Sequence, residues 1–246
     1  VNRGLDSTQS ANAFLRPKLT DLIRPELMPG VPAAVERIRH AIAQGERITI
    51  YGDYDVDGIT GVSILLSLLT RLGAQVDYYI PHRIDEGYGL NDAAIRSLAA
   101  GGTRLLVTVD CGIGAVGTAD LAADLGMDLI VTDHHQPDAV LPKAVAIVHP
   151  ALPGAPAYAN PDSAGAMVAL KLAWAIANSH STGPRLGGDL REFMLGATSL
   201  AAAGTVADVV DLCGENRVLT HYGLKALAQS GLCGVQALIE SAGLTG

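Results

Sequence analysis

The chain has 246 residues, 49% hydrophobic but only 4% aromatic, with a formal net charge of -8. That length can bury a sizeable core, and the abundance of Ala, Gly, Val and Leu suits helices packed closely on buried parallel strands. The acidic balance argues against a broadly basic nucleic-acid surface; carboxylates gathered around a metal would explain part of it, so a polyanionic substrate stays open.

No apolar run is long enough to span a bilayer, and no signal peptide is visible at the start. Cys111, Cys213 and Cys233 make neither a zinc pattern nor a disulfide framework, which points to a reducing cytoplasm.

Residues 1–45 read as a proline-punctuated lead-in, with a short helix near Ser10 to Leu15 and a first long helix from Pro32 to about Gln44. Residues 46–150 read as an α/β core. Strands are expected at Arg47 to Tyr51, Gln75 to Ile80, Arg104 to Val109, Met127 to Thr132 and Ala144 to Val148. Helices are expected over Ile59 to Leu72, from an Asn91 cap to about Ala99, and from Ala115 to Leu125. This alternation predicts a five-stranded parallel sheet flanked by helices. Residues 151–246 read as mainly helical, with helices at Ser163 to Asn178 (capped by Asp162 or Ser163), Asp189 to Ala203, Glu215 to Gln229 and Val235 to Ala242. A loop is expected over Ser179 to Gly188, and a non-helical stretch over Gly204 to Asp211.

The first strand runs into Gly52-Asp53-Tyr54-Asp55-Val56-Asp57-Gly58. Three carboxylates this close repel one another unless a cation sits among them. An EF-hand would need Glu at its twelfth position, which is Ile64 here, and a helix where a strand precedes. A solvated acidic turn is the blander alternative. Against it, Asp110 and Asp133-His134-His135 also fall at strand carboxyl ends, where ligands bind in parallel sheets. Two divalent ions ~3.5–4 Å apart need a bridging carboxylate. Asp110 is the natural bridge, its strand lying between those leading to Asp55 and His134. Asp55 and Asp57 are expected on opposite sides of an extended backbone, one for each ion. His134 supplies an imidazole, and His135 is better placed to serve the phosphoryl group or a proton. An oxygen-rich, sulfur-free set suits Mn2+ or Mg2+. The chemistry is phosphoester hydrolysis; no G-x-S-x-G elbow is present, and Cys111 reads as a packing residue.

Gly52 to Gly58, Asp110-Cys111-Gly112, Asp133-His134-His135 and Gly204-Thr205-Val206-Ala207-Asp208 together resemble the four motifs of the DHH phosphoesterase superfamily. Tyr79-Ile80-Pro81, Glu86 to Asn91 and Glu215-Asn216-Arg217 make the chain similar to the RecJ-type single-strand-specific exonucleases. The resemblance covers roughly residues 40 to 230. It implies a 5′-to-3′ exonuclease that degrades single-stranded DNA to mononucleotides in recombination and repair. It implies one ion on Asp57, Asp110, His134 and Asp208, and another on Asp53, Asp55 and the shared Asp110.

The family pattern places a metal-binding His at position 51, where this chain has Tyr51, and Pro at position 211, where it has Asp211. Arg83 is the candidate for a terminal 5′ phosphate, with His82 and Arg217 as weaker candidates. The alternative for Arg83 is a solvated loop residue paired with Asp85 or Glu86. The resemblance implies single-stranded DNA as partner, with contacts to a single-strand-binding protein and a helicase through domains that RecJ-like proteins carry downstream; a monomer with no membrane partner is expected. On this reading the chain is a catalytic-core fragment. The alternatives are a DHH phosphoesterase for short oligonucleotides, cyclic dinucleotides or pyrophosphate, and a non-catalytic replication scaffold.

Overall fold

Runs rich in β-branched residues make the strands: Arg47–Gly52 (β1), Gln75–Tyr79 (β2), Leu105–Val109 (β3), Asp128–Thr132 (β4) and Ala146–Val148 (β5). All pair in parallel, in the order β2-β1-β3-β4-β5. The structure is a computed structural model and describes residues 6–181, 183 and 186–244. The strand order reverses between β1 and β3, and the crevice at such a switch point is where parallel sheets bind ligands.

The helices are Thr8–Leu15 (α1), Val31–Gln44 (α2), Val56–Arg71 (α3), Asp92–Ala100 (α4), Val116–Asp124 (α5), Gly165–His180 (α6), Gly188–Ala207 (α7), Gly214–Leu227 (α8) and Cys233–Ser241 (α9). Successive strand side chains feed opposite faces of the sheet. Ile48, Ile50, Leu105, Val107, Val109 and Ile130 join the larger core with α2, α3, α6 and α7. Tyr51, Leu106, Leu129 and Val131 join a smaller core with α4 and α5. α7 packs on α3, α6 and α8, so the C-terminal helices continue the larger core. None of the described helices is long and apolar enough to cross a membrane.

Three local expectations are corrected. α3 begins at Val56 and not after Gly58, because the Asp55 side chain caps it by accepting from Gly58 N at 2.9 Å. Gly58 and Gly61 therefore serve close approach within a helix. A Cβ at Gly58 would lie 2.5 Å from Asp53 O, and one at Gly61 2.6 Å from Val109 Cγ1. α7 runs on through Gly204 to Ala207, since Gly204 is where that helix presses on Asp57 and Thr60. α6 is capped by neither Asp162 nor Ser163. Its first amides, Gly165 N and Ala166 N, are bound by Asp57 of α3 at 2.5 and 3.0 Å. The other elements match the expected ones to within one to three residues at each end; the expected loop at 179–188 falls partly outside the described residues.

Candidate metal centre

Each acidic residue arrives at the same edge by a different route. Asp53 follows β1, Asp55 is the N-cap of α3 and Asp57 lies in its first turn. Asp110 follows β3, His134 follows β4, and Asp208 is the C-cap of α7. The expectation for Asp55 and Asp57 is corrected: residues two apart share one face of an extended strand, and these two diverge because Asp55 caps α3 while Asp57 faces inward from its first turn. The outcome is still two sets. Asp57, His134 and Asp208 offer ligand atoms within 4.8 Å of one another, and so do Asp53, Asp55 and Asp110. Asp110 also borders the first set, with Oδ1 3.2 Å from His134 Nε2. His134 Nε2 is 3.7 Å from Asp208 Oδ2 and 3.9 Å from Asp57 Oδ2.

Among the described residues, six buried side-chain nitrogen or oxygen atoms lack a hydrogen-bond partner, and four are here: Asp53 Oδ1, Asp110 Oδ1, His134 Nε2 and Asp208 Oδ2. Buried polar atoms are rarely left unpaired, so four converging orphans fit a cation. Electrostatics agrees. Burial raises the Asp57 carboxyl to about 6 and Asp110 to about 7, and pushes Asp53 and Asp208 upward. Burial opposes protonation of His134, but Asp110, Asp208 and Asp57 outweigh it and lift the imidazole to about 9. Without a cation, the cluster holds protons where a divalent ion could sit.

Asp133 is no ligand. Its Oδ1 accepts from His134 N, His135 N and His135 Nδ1 at 2.7, 3.1 and 2.8 Å, and its Oδ2 from Ile113 N at 2.9 Å. Burial works against its charge, yet the His135 and Ile113 donors hold the carboxyl below its ordinary value. His135 comes near enough to Asp110 and His134 to join a ligand set. Its Nδ1, however, is committed to Asp133, a bond that raises its proton affinity. The Cys111 thiol is fully buried and held far above its ordinary value by that burial, consistent with packing.

Three supporting residues were not among the site candidates, although Tyr88 lies within the Glu86 to Asn91 motif. Tyr88 OH donates to Asp110 O at 3.1 Å and lies 3.2 Å from His135 Nδ1. Its signal was an aromatic between Gly87 and Gly89, both left-handed here. His149 is buried at the end of β5; its Nδ1 accepts from Ala151 N, so Nε2–H donates to His135 O at 2.9 Å. Gly165 is bare because a Cβ would lie 2.7 Å from Asp110 Oδ1.

Tyr51 is fully buried and belongs to neither ligand set. Its ring stacks on Tyr79, and its OH donates to Gly89 O at 2.9 Å and accepts from Asn91 at 3.2 Å. Arg83 stands over the Tyr54 ring at 5.0 Å, beside the acidic loop; no ion pair to Asp85 or Glu86 forms. His82 pairs with Asp85 at 2.7 Å. Arg217 departs from its expected place: it donates to Phe14 O at 3.2 Å and lies on the Phe14 ring, tying α8 to α1. Asp211 is exposed and lines a groove with His134, Pro161, Asp162 and Val210.

Residues 47–198 match the family model described as DHH family, N-terminal domain. The chain belongs to the DHH family. Among DHH relatives, it is 45% identical over 243 residues to the single-stranded-DNA-specific exonuclease RecJ of Bacillus subtilis, covering 99% of this chain and 29% of that protein. It is 36% identical to the Escherichia coli RecJ, covering 98% of this chain and 42% of that one. The chain thus spans less than half the length of these relatives. It superposes on a manganese-bound exonuclease RecJ with TM-score 0.76 and 37% identity, over 89% of this chain and 53% of the other. Thermus thermophilus RecJ in complex with Mn2+ gives TM-score 0.76 at 34% identity, over 94% and 31% of the two chains.

Proposed function

We propose that this DHH chain is the catalytic part of a metal-dependent 5′-to-3′ exonuclease that degrades single-stranded DNA to mononucleotides in recombination and repair. The observation that carries the reading is Asp110, a buried carboxylate that borders both ligand sets and whose Oδ1 has no hydrogen-bond partner. The likeness to RecJ structures bound to Mn2+ and Mg2+ supports the same ions here, as does the oxygen-rich donor set. Asp57, Asp110, His134 and Asp208 would hold one ion; Asp53, Asp55 and Asp110 the other. When bound, two such ions supply an activated water and offset charge on the phosphoryl group.

The chain's own groups do the rest. Asp133 fixes His135 through Nδ1, which leaves Nε2 to donate to a phosphoryl oxygen or to pass a proton. Arg83, stacked on Tyr54 beside the acidic loop, is our candidate to meet a 5′ phosphate. His82 is a poorer candidate, being paired with Asp85, and Arg217 has its partners on α1. We divide the chain into a lead-in over 1–45, the metal-binding α/β core over 46–150 and a helical part over 151–246. Three free cysteines suit a reducing, cytoplasmic setting. We read it as a monomer; any single-strand-binding protein or helicase would engage parts of the longer relatives that this chain does not span.

The test is a nuclease assay with Mn2+ on 5′-labelled single-stranded and duplex DNA, with a short-oligomer series, a cyclic dinucleotide and pyrophosphate alongside. Mononucleotide release from single strands is expected. Activity confined to the short or cyclic substrates moves the chain to that class, and a chain that binds no Mn2+ by calorimetry is a scaffold.

A further inference from the structure

Asp110 is one of two residues other than glycine with positive φ among the described residues, at 62°. That left-handed conformation is unfavourable for a residue with a Cβ and persists only where neighbours enforce it. Here the enforcement is visible. The backbone register of β3 with β4 ends at Val107–Ile130. Beyond it, two fully buried threonines take over the ladder. Thr132 N donates to Thr108 Oγ1 at 3.2 Å instead of to a carbonyl. Thr132 Oγ1 donates to Thr108 O at 2.6 Å. Thr108 Oγ1 in turn donates to Cys111 O at 2.7 Å, across the turn from Asp110, whose own N–H reaches Thr132 O at 3.0 Å. The Thr108 hydroxyl therefore accepts from one strand and donates into the turn, and no apolar side chain can do either. Gly112, with φ 107°, sits against it; a Cβ there would be 3.0 Å from Thr108 Oγ1.

We propose that Thr108, seconded by Thr132, is a positioning residue that holds Asp110 in its left-handed turn, so that one carboxylate faces both ligand sets. The inference rests on the two-ion reading above. It assigns a task to two hydroxyls that touch neither a ligand atom nor substrate.

The test is Mn2+ titration by calorimetry of wild type, Thr108→Val, Thr108→Ser and Thr132→Val, with thermal melting in chelator alongside. Val fills the space of Thr but can neither accept from Thr132 N nor donate to Cys111 O. Thr108→Val should weaken both Mn2+ binding steps by tenfold or more. Ser should bring both back to within about threefold of wild type, and Thr132→Val should give a smaller loss at both steps. Lower melting temperature with unchanged Mn2+ affinity would assign Thr108 a merely structural role and overturn the proposal, as would weakening of one step alone. If Thr108→Val does not fold, wild-type affinity in Thr132→Val overturns it instead. A wild type that binds no Mn2+ overturns the two-ion reading and this inference with it, which separates the two failures.

Discussion

Two glycines on α7 invite the same substitution and should answer with opposite signs. A Cβ at Gly204 would fall 2.5 Å from Thr60 Oγ1, 2.6 Å from Asp57 Oδ1 and 2.7 Å from Ala166 Cβ. Non-bonded carbon contacts settle near ~3.5–4.0 Å, so α7 must retreat from α3 and α6 by about 1 Å. At Gly196, about two turns earlier on that helix, a Cβ would meet nothing within 4 Å. Replacing glycine by alanine inside a helix contributes about 1 kcal/mol at either site. At Gly196 that gain stands alone, and the melting temperature should rise by ~2–4 °C. At Gly204, overpacking of ~1–3 kcal/mol cancels or outweighs it, for a net loss of about 1 kcal/mol and a fall of ~2–4 °C. The functional effect is larger than the stability effect. Asp208 rides on the end of α7 and Asp57 is the residue struck, whereas metal ligands tolerate displacements of only ~0.2 Å. Gly204→Ala should therefore lose tenfold or more in affinity for the ion held by Asp57, His134 and Asp208, while keeping its circular dichroism spectrum. Calorimetry and melting of both variants decide it. Wild-type Mn2+ affinity in Gly204→Ala, or equal melting shifts in the two variants, would refute the argument.

In chelator, Asp110→Asn should melt above wild type at pH 8. The folded-state value of about 7 exceeds the ordinary one near 4, so the stability tied to that proton is full below pH 4 and lost as pH rises to 7. At ~1.4 kcal/mol per pH unit the gap approaches an upper limit of about 4 kcal/mol; Asn tolerates the left-handed turn, and saturating Mn2+ should reverse the order. A melting series from pH 5 to 8.5 in which the gap fails to widen contradicts this. His134→Ala should weaken Mn2+ binding directly, whereas His135→Ala should cut turnover tenfold or more at nearly unchanged affinity; equal loss of binding in both makes the division of roles wrong. Arg83→Ala should lower kcat/KM on 5′-phosphorylated strands more than on 5′-hydroxyl strands, by fivefold or more in the ratio, and an unchanged ratio returns it to a surface residue stacked on Tyr54.

Much of this arrangement is written in local pattern. Strand alternation, glycine stops and the Asn91 cap are short-range features, and they located the sheet and the edge where its acids gather. The acidic and histidine motifs likewise lie next to strand ends, so their convergence follows from a parallel sheet. What pattern did not reveal depends on partners far apart in sequence. The expected helix stopped at Ala203, because the reason Gly204 is glycine lies on α3 and α6 and leaves no local trace. Asp57 looked like a metal ligand alone, although it also caps a helix more than a hundred residues away. Nothing local to Glu215-Asn216-Arg217 foretells that Arg217 bonds to Phe14, near the other end of the chain. The side chain of Asp133 faces back into its own loop, which no spacing rule distinguishes from facing outward.

The grip of Asp57 on α6 bears on how the protein matures. A carboxylate that receives two amides at a helix N-terminus has part of its charge offset by the peptide dipoles before any ion arrives. The chain can therefore close its larger core around half of a binding site without waiting for a cofactor. Two of the contacts that fix the Asp57 carboxylate are thus made by the fold itself, unlike in a zinc finger, whose ligands are ordered by the metal. The same arrangement ties the docking of α6 to the shape of the ligand cluster. Displacing the C-terminal helices would carry Asp208 away and free Asp57 from α6, so it would disturb that ligand set directly.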